Sequence, residues 1–364
     1  MGGIEMALEL KSTDRLKFVK LQSVFYVVAL IIMLITILKV AQTIFKPLSI
    51  ALFLGFLVYP IYTFLKKLKI PRVLIVCIIF FVLFLFFYLV FSFVYYSVTV
   101  LIDQLPYYQK QLIFIIGDIL EKYKLDSTII SNIDFSKYIY PFLTRISNEI
   151  IGFASSLVVL FLLLYFLLSE IHIFDIKVKN AFKQSVSSMF IEVLNTINNQ
   201  ISKYLGIKVF VSFLTGLLVF IGLKLFGQDF PRVWAVLTFV FNFIPSIGSI
   251  LAVFFIMIAA LVQFYPDLNL VLYIFIYNTF VQMLIGNILE PKMQGHRLDL
   301  SPFLLLCFLF FWGWLWGVVG LLIAYPFTVV IKVIVDNIAY LRPFSVFLSG
   351  SKILTVDDVD NKDN

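Results

Sequence analysis

The feature that most constrains this chain is a series of apolar runs too long and too continuous to pack in water. Residues 21–45, 47–65 and 72–102 follow one another with only short charged turns between them. A helix that crosses the hydrocarbon core of a bilayer needs about 20 apolar residues, and each run meets or nears that length. A soluble domain carries roughly 25% charged residues and at most about half apolar ones. Here 62% of the 364 residues are apolar and 13% are charged. So little charge cannot cover soluble domains without large apolar patches, which soluble proteins avoid. A soluble enzyme, a nucleic-acid binder and a disordered chain are excluded. A membrane β-barrel is excluded too, because its strands alternate apolar and polar residues in segments of about 10. The fold class is an all-α polytopic membrane protein.

The net charge of +7 reads as topology rather than as a nucleic-acid surface, because the basic residues gather in short loops beside apolar runs. Cys77 and Cys307 lie inside apolar runs with no disulfide or metal spacing, so both are inert core residues. The 42 phenylalanines read as lipid-facing bulk. No cofactor is implied.

Residues 1–20 are polar and basic (Lys11, Arg15, Lys17, Lys20). The run behind them exceeds a signal-peptide core of about 7–15 residues, so it reads as a retained span. Residues 21–102 hold transmembrane helices 1–3, with Pro47 placed where the second would begin. Residues 103–149 carry mixed charge, and Leu105, Tyr108, Leu112, Ile116, Ile119 and Tyr123 recur at helical spacing. They read as a small helical extracytoplasmic domain. A fourth span covers 150–168. Residues 169–204 read as one cytoplasmic amphipathic helix, with Phe182, Val186, Phe190, Val193, Ile197 and Ile201 on its apolar face. Residues 205–335 form the transport core, opening with a span at about 205–226, and 336–364 a cytoplasmic tail. The basic residues of the N-terminus, of the turn 66–72 and of the 169–208 insert place all three in the cytoplasm.

The core poses a topology problem. Blocks 231–264 and 302–335 are too long for ordinary spans and carry breakers near their middles: Pro245 and Gly248 in one, Gly313, Gly317 and Gly320 in the other. As single spans they place segment 288–301, with Lys292 and Arg297, outside, against the positive-inside rule. As re-entrant hairpins of two half-helices they place it in the cytoplasm. The chain then has about six full spans plus two hairpins, rather than eight spans. Pro231 and Pro302 open the two blocks, and Gly248 and Gly320 follow them by 17 and 18 positions. Ile247-Gly248-Ser249-Ile250-Leu251-Ala252 parallels Val319-Gly320-Leu321-Leu322-Ile323-Ala324. That is the pattern of an inverted repeat, which in secondary transporters puts the substrate site at broken helices near the midplane. Two long, tilted and kinked helices remain the alternative.

At these residues the chain resembles the autoinducer-2 exporter family of bacterial permeases. The matching stretches are F-N-F-I-P-S-I-G (241–248), L-E-P-K-M-Q-G-H-R-L-D-L-S-P (289–302) and G-V-V-G-L-L-I-A-Y-P-F (317–327). Near the N-terminus P-L-S-I-A-L-F-L-G-F-L-V-Y-P (47–60) and K-K-L-K-I-P-R (66–72) also fit. The resemblance implies a multi-span inner-membrane protein assembled as a homo-oligomer. Some members are linked to export of autoinducer-2 and others to sodium/proton exchange. The run Trp312, Trp314, Trp316 departs from the pattern and alters the cavity wall.

Polar groups inside a membrane are costly and mark function. Near the first break these are Asn242, Ser246 and Ser249, beside Pro245 and Gly248. Pro245 removes a backbone donor and frees the carbonyl four residues back. With the Asn242 amide, that carbonyl is a candidate ligand for a hydroxylated solute or a cation, or else Asn242 satisfies the broken backbone itself. Asn278, Gln282 and Gly286 share a face by their spacing of four, with Asn287 beside them, as a cavity wall or as interhelical hydrogen bonds. Gly317 and Gly320 mark the second break. Glu290 is the one carboxylate among the core candidates, either a proton or cation site or the partner of Lys292 or Arg297. His172 and His296 read as solvated loop residues, and the pairs Lys224–Asp229 and Lys332–Asp336 as topology or helix-pair features. No Walker loop, metal spacing or nucleophile–base set is present, so this chain has no motif of an enzyme or an ATP-driven pump. Three functions follow: a secondary exporter of a small polar solute, a sodium/proton-type antiporter, or an oligomeric scaffold without transport. With the hairpins in place, a cysteine at Lys292 reacts with impermeant reagent only from the cytoplasm. Labelling from outside intact cells would rule the hairpins out.

Overall fold

The computed structural model describes residue 22, residues 25–123, 136–245, 247–294 and 300–338, and isolated positions from 341 to 350. All described elements are helical: α1 (Phe25–Val40), α2 (Gln42–Lys67), α3 (Arg72–Lys122), α4 (Ser136–Ala181), α5 (Gln184–Leu225), α6 (Pro231–Phe241), α7 (Ile247–Phe264), α8 (Leu268–Gln282), α9 (Glu290–Gln294), α10 (Pro302–Trp316) and α11 (Val318–Asn337). A π-helical turn, Met283–Leu289, joins α8 to α9. Six described helices are long and apolar enough to cross a membrane, and four shorter apolar helices accompany them. The chain is a polytopic helical membrane protein.

Several boundaries differ from the sequence expectation. The insert 169–204 is not one helix. Its first part prolongs α4 to Ala181, and the chain breaks at Phe182–Lys183 before α5 runs 42 residues to Leu225. The reason is phase. Buried Ile197, Ile201, Leu205, Val219 and Leu223 keep one helical stripe across the polar-to-apolar boundary, and no proline interrupts it. Residues 103–122 likewise continue the 51-residue α3, and 136–149 begin α4; 124–135 lie outside the described residues. The expected turn near 46 is absent. One residue, Ala41, separates α1 from α2, and Pro47 lies inside α2. Because Ala41 N–H reaches Ile37 O at 2.8 Å and Ala41 O accepts from Phe45 N at 3.1 Å, the two helices form a kinked, nearly continuous rod. The α8 segment runs on through the π-helical turn to Gln294.

Packing sorts the helices into bodies that meet along α5. Helices α2, α3 and α4 bury Leu54, Ile75, Ile79, Leu160 and Leu164. On α5, Val211, Val219 and Leu223 pack with Ile256 of α7 and Ile274 of α8. Further toward its N-terminus α5 meets α11, where the Tyr204 and Tyr325 rings stack at 3.8 Å. Glycines allow these close approaches, as they do between membrane helices generally. A Cβ on Gly216 would sit 2.9 Å from Ala235 O, and one on Gly222 would overlap the Tyr277 ring, whose hydroxyl donates to Leu218 O at 2.8 Å.

The far end of α3 reaches the open end of the α6–α7 pair. Tyr108 donates to Asp229 Oδ2 at 2.9 Å and its ring lies against Phe230, while Tyr265 donates to Asp118. Burial first, then the Asp229 carboxylate, hold the Tyr108 hydroxyl well above the usual tyrosine range. Asp229 therefore pairs with Tyr108 across the fold, while Lys224 lies over the Phe220 ring.

Candidate functional site

Both long core blocks are broken into two helices that fold back on each other. Pro231 and Pro302 stand in the first turn of α6 and α10, where a missing N–H costs nothing. Fold-back is visible in the side chains: Phe241 lies 6.1 Å from Phe255, and Trp312 stacks on Phe327 at 4.5 Å.

At each break a glycine covers a backbone carbonyl. A Cβ on Gly248 would lie 1.7 Å from Phe241 O, and one on Gly320 would lie 1.8 Å from Trp312 O. Only a residue without a side chain fits either place. Gly317 takes φ 67°, ψ −139°, a conformation open to glycine and strained in other residues. The Phe241 carbonyl that Pro245 frees is not open to a solute, because Ile244 N–H donates to it at 2.8 Å and Gly248 shields it. Pro245 itself is half-buried. Asn242 is buried, and its Nδ2 donates to Ser212 Oγ of α5 at 3.2 Å. Ser249 is half-buried. Ser246 lies outside the described residues.

The second break is closed from another helix. Lys39 of α1 donates to Trp314 O at 2.8 Å and Leu315 O at 3.0 Å, and its ammonium sits 4.9 Å from the Trp314 ring centre. Gly317 N–H takes Gly313 O at 2.8 Å. A cation at a helix C-terminus is favoured by the dipole and by the free carbonyls there. Trp316 Nε1 in turn donates to Leu38 O at 3.1 Å. The tryptophan run thus packs the tip of α10 against α1.

The expected stripe on α8 resolves differently. The buried positions are Val271, Ile274, Asn278, Val281 and Ile285. Asn278 is wholly buried, whereas Gln282 is half-buried and Asn287 exposed. Only Asn278 of the three polar residues faces the interior. The buried positions alternate spacings of three and four, so a strict spacing of four drifts off the buried face, and Gln282 falls at its edge. Asn278 Nδ2 donates to Ile274 O at 2.8 Å, while its Oδ1 and the buried Thr238 Oγ1 have no partner among the described residues. Buried polar atoms are nearly always hydrogen-bonded, so these two keep capacity for a further partner.

Glu290 follows the π-helical turn, and among the described residues it does not pair with Lys292. Its described partner is Lys208 of α5, with Nζ 2.6 Å from Oε1 and side chains 5% and 14% exposed for the lysine and glutamate. Gln294 Nε2 donates to the same oxygen at 3.0 Å. Arg297 and His296 lie outside the described residues. Removing one partner of a buried pair costs about 3–5 kcal/mol.

Lys208, Ser212 and Lys39 were not legible as site residues from loop charge alone, yet each carried a signal. Lys39 is a lone charge inside an apolar run, which is expensive unless paired. Tyr204, Lys208 and Ser212 are spaced by four on α5, so they share one face.

Comparison with known proteins follows the same boundaries. The family model described as AI-2E family transporter matches residues 25–340. A protein of Borreliella burgdorferi named "Putative transport protein" is 67% identical over 359 residues, covering 98% of this chain and 99% of its own length. The Escherichia coli K12 protein named AI-2 transport protein TqsA is 28% identical over 334 residues, covering 89% and 95%. YhhT of the same strain, described as the Borreliella protein is, is 29% identical over 319 residues, covering 84% and 88%.

Gly248→Ala and Gly320→Ala each force a methyl group into a backbone carbonyl and should cost about 1–3 kcal/mol by overpacking. Both should melt several degrees lower in detergent. Gly206→Ala, on α5 with nothing within 4 Å of its Cβ, should not. Equal melting of all three would mean that the breaks do not depend on these contacts.

Proposed function

Because the chain belongs to the AI-2E transporter family, we propose that this membrane transporter is a secondary exporter of a small polar, hydroxyl-bearing solute. It works in the bacterial inner membrane with its C-terminal tail in the cytoplasm. The observation that carries this reading is the matched pair of helix breaks. Each is opened by a first-turn proline and closed by a glycine on a carbonyl. Both pairs pack against α5, whose buried face holds Lys208, Ser212 and Thr215. Irregular backbone in lipid survives only where protein or a water-filled cavity surrounds it, and paired breaks are how secondary transporters build such a cavity.

The solute path in this reading passes the first break. Asn242, Thr238 and Asn278 supply an amide, a hydroxyl and an open carbonyl oxygen. These groups suit hydroxyls better than bare charge. One relative's name, AI-2 transport protein, supports an autoinducer-2-like solute as the first to try. The chain has no nucleotide-binding motif, so a gradient supplies the driving force. Homo-oligomer assembly belongs to the same reading. Helix α1 is apolar and largely exposed and meets the second helix pair near Ile35, Leu38 and Lys39, which leaves much of its surface for lipid or a second copy. The antiporter reading rests on Glu290, a mostly buried carboxylate in the core, but a cation there would have to displace the Lys208 ammonium.

Purified protein in liposomes should move hydroxylated solutes. Asn242→Leu should slow that flux roughly tenfold, about 1.4 kcal/mol of barrier, without a matching loss of stability. Absence of flux for every hydroxylated solute and cation tried would overturn the transporter reading.

A further inference from the structure

The Lys208–Glu290 pair sits in an unusual electrostatic position. Glu290 brings a formal negative charge into a mostly buried setting just past the π-helical turn. Such a charge needs a counter-charge at short range, because the interior screens it poorly. Lys208 supplies it at 2.6 Å from a continuous membrane helix. The ammonium has three protons to give, and the described residues offer it one acceptor, Glu290 Oε1. It is held there as a charge, by one strong charge-assisted bond, rather than as the centre of a hydrogen-bond network.

We propose that the Lys208 ammonium fills a monovalent-cation position at Glu290, and that this lysine is the specificity element that keeps the carboxylate from taking a sodium or lithium ion. An ammonium and an alkali ion carry the same charge and compete for the same oxygen. Both cannot sit within a few ångströms of each other in a poorly screened interior. The lysine is tethered, so its effective concentration at Glu290 does not fall when cytoplasmic sodium changes. With Lys208 gone, Glu290 gains an open cation site. Gln294 is already bonded to Glu290 and its amide can turn its oxygen toward the ion as a second ligand. The inference deepens the exporter reading, on which its bearing on solute choice rests: Lys208 fits the chain to neutral solutes and uncouples Glu290 from cation flux.

The test uses full-length protein in detergent, with melting followed in sodium, lithium or choline chloride at equal ionic strength and at a pH where carboxylates are ionised. Lys208→Met keeps the length of the apolar stem and removes the charge. Saturating sodium or lithium should raise its melting temperature by several degrees over choline, as binding to the folded state must. Wild type and Lys208→Arg should show no such rise. Lys208→Met/Glu290→Gln should lose it. A folded Lys208→Met indifferent to sodium and lithium overturns the proposal. So does a sodium-dependent rise in wild type that Glu290→Gln abolishes, and that arm stands whether or not Lys208→Met folds. Lys208→Gln repeats the variant arm with a different side chain. Because the readout is binding, it separates from the exporter reading: cation binding that appears on loss of Lys208 stands even if liposomes show no solute flux.

Discussion

Two helices of this protein stop within apolar sequence, and their surroundings are arranged so that their last carbonyls are not left bare. A helix end leaves up to four carbonyls without a partner, and in lipid no water supplies one. At the end of α6 the chain answers locally: Asn242, Phe243 and Ile244 N–H take Thr238, Val240 and Phe241 O, and Gly248 seals the last. At the end of α10 the answer is long-range. Gly317 takes one carbonyl, Lys39 takes two from 275 and 276 positions away, and Gly320 covers another. The first break is therefore closed by its own turn and tied to α5 through Asn242. The second is closed by α1.

This difference gives the two halves of the repeat different attachments. The α6–α7 pair is held to α5 at its tip and to the end of α3 at its mouth, through Tyr108 and Tyr265. The α10–α11 pair is held to α1 at its tip and to α5 through the Tyr204–Tyr325 stack. Helix α5 touches both pairs and carries the lysine that neutralises Glu290. Movement of one pair against the other would be read along α5, where the buried polar residues lie.

Much of this was legible in the sequence, because its strongest signals are physical necessities. Continuous apolar runs fixed the solvent, and the prolines and glycines marked the breaks, since Pro231 and Pro302 fit a first turn and Gly248 and Gly320 fit a crowded carbonyl. Family membership was legible in the motifs around 241–248 and 289–302. What was not legible depends on distance along the chain or on continuity. Polarity at 169–204 and 103–149 looked like punctuation, yet a helix ends only where its backbone is interrupted, and neither boundary interrupts it. The α8 stripe failed because the buried face alternates spacings of three and four, and a strict spacing of four rotates away from it. Spacing offers Lys292 as a partner for Glu290, whereas the described one lies 82 positions upstream in α5. Charge pairing in a membrane follows packing, and packing was not visible in spacing.

The two core blocks fold back on themselves rather than running straight, and the rest of the core is arranged around that. In the fold described, Trp312 and Phe327 are in ring contact, as are Phe241 and Phe255. At about 1.5 Å per residue a straight helix would hold either pair roughly 20 Å apart. The direct measurement is disulfide formation between cysteines placed at each pair in native membranes, with Cys77 and Cys307 replaced by serine. Ready cross-linking at both pairs is the expected result. Absence of cross-linking at both, in protein that still reaches the membrane folded, would contradict the account.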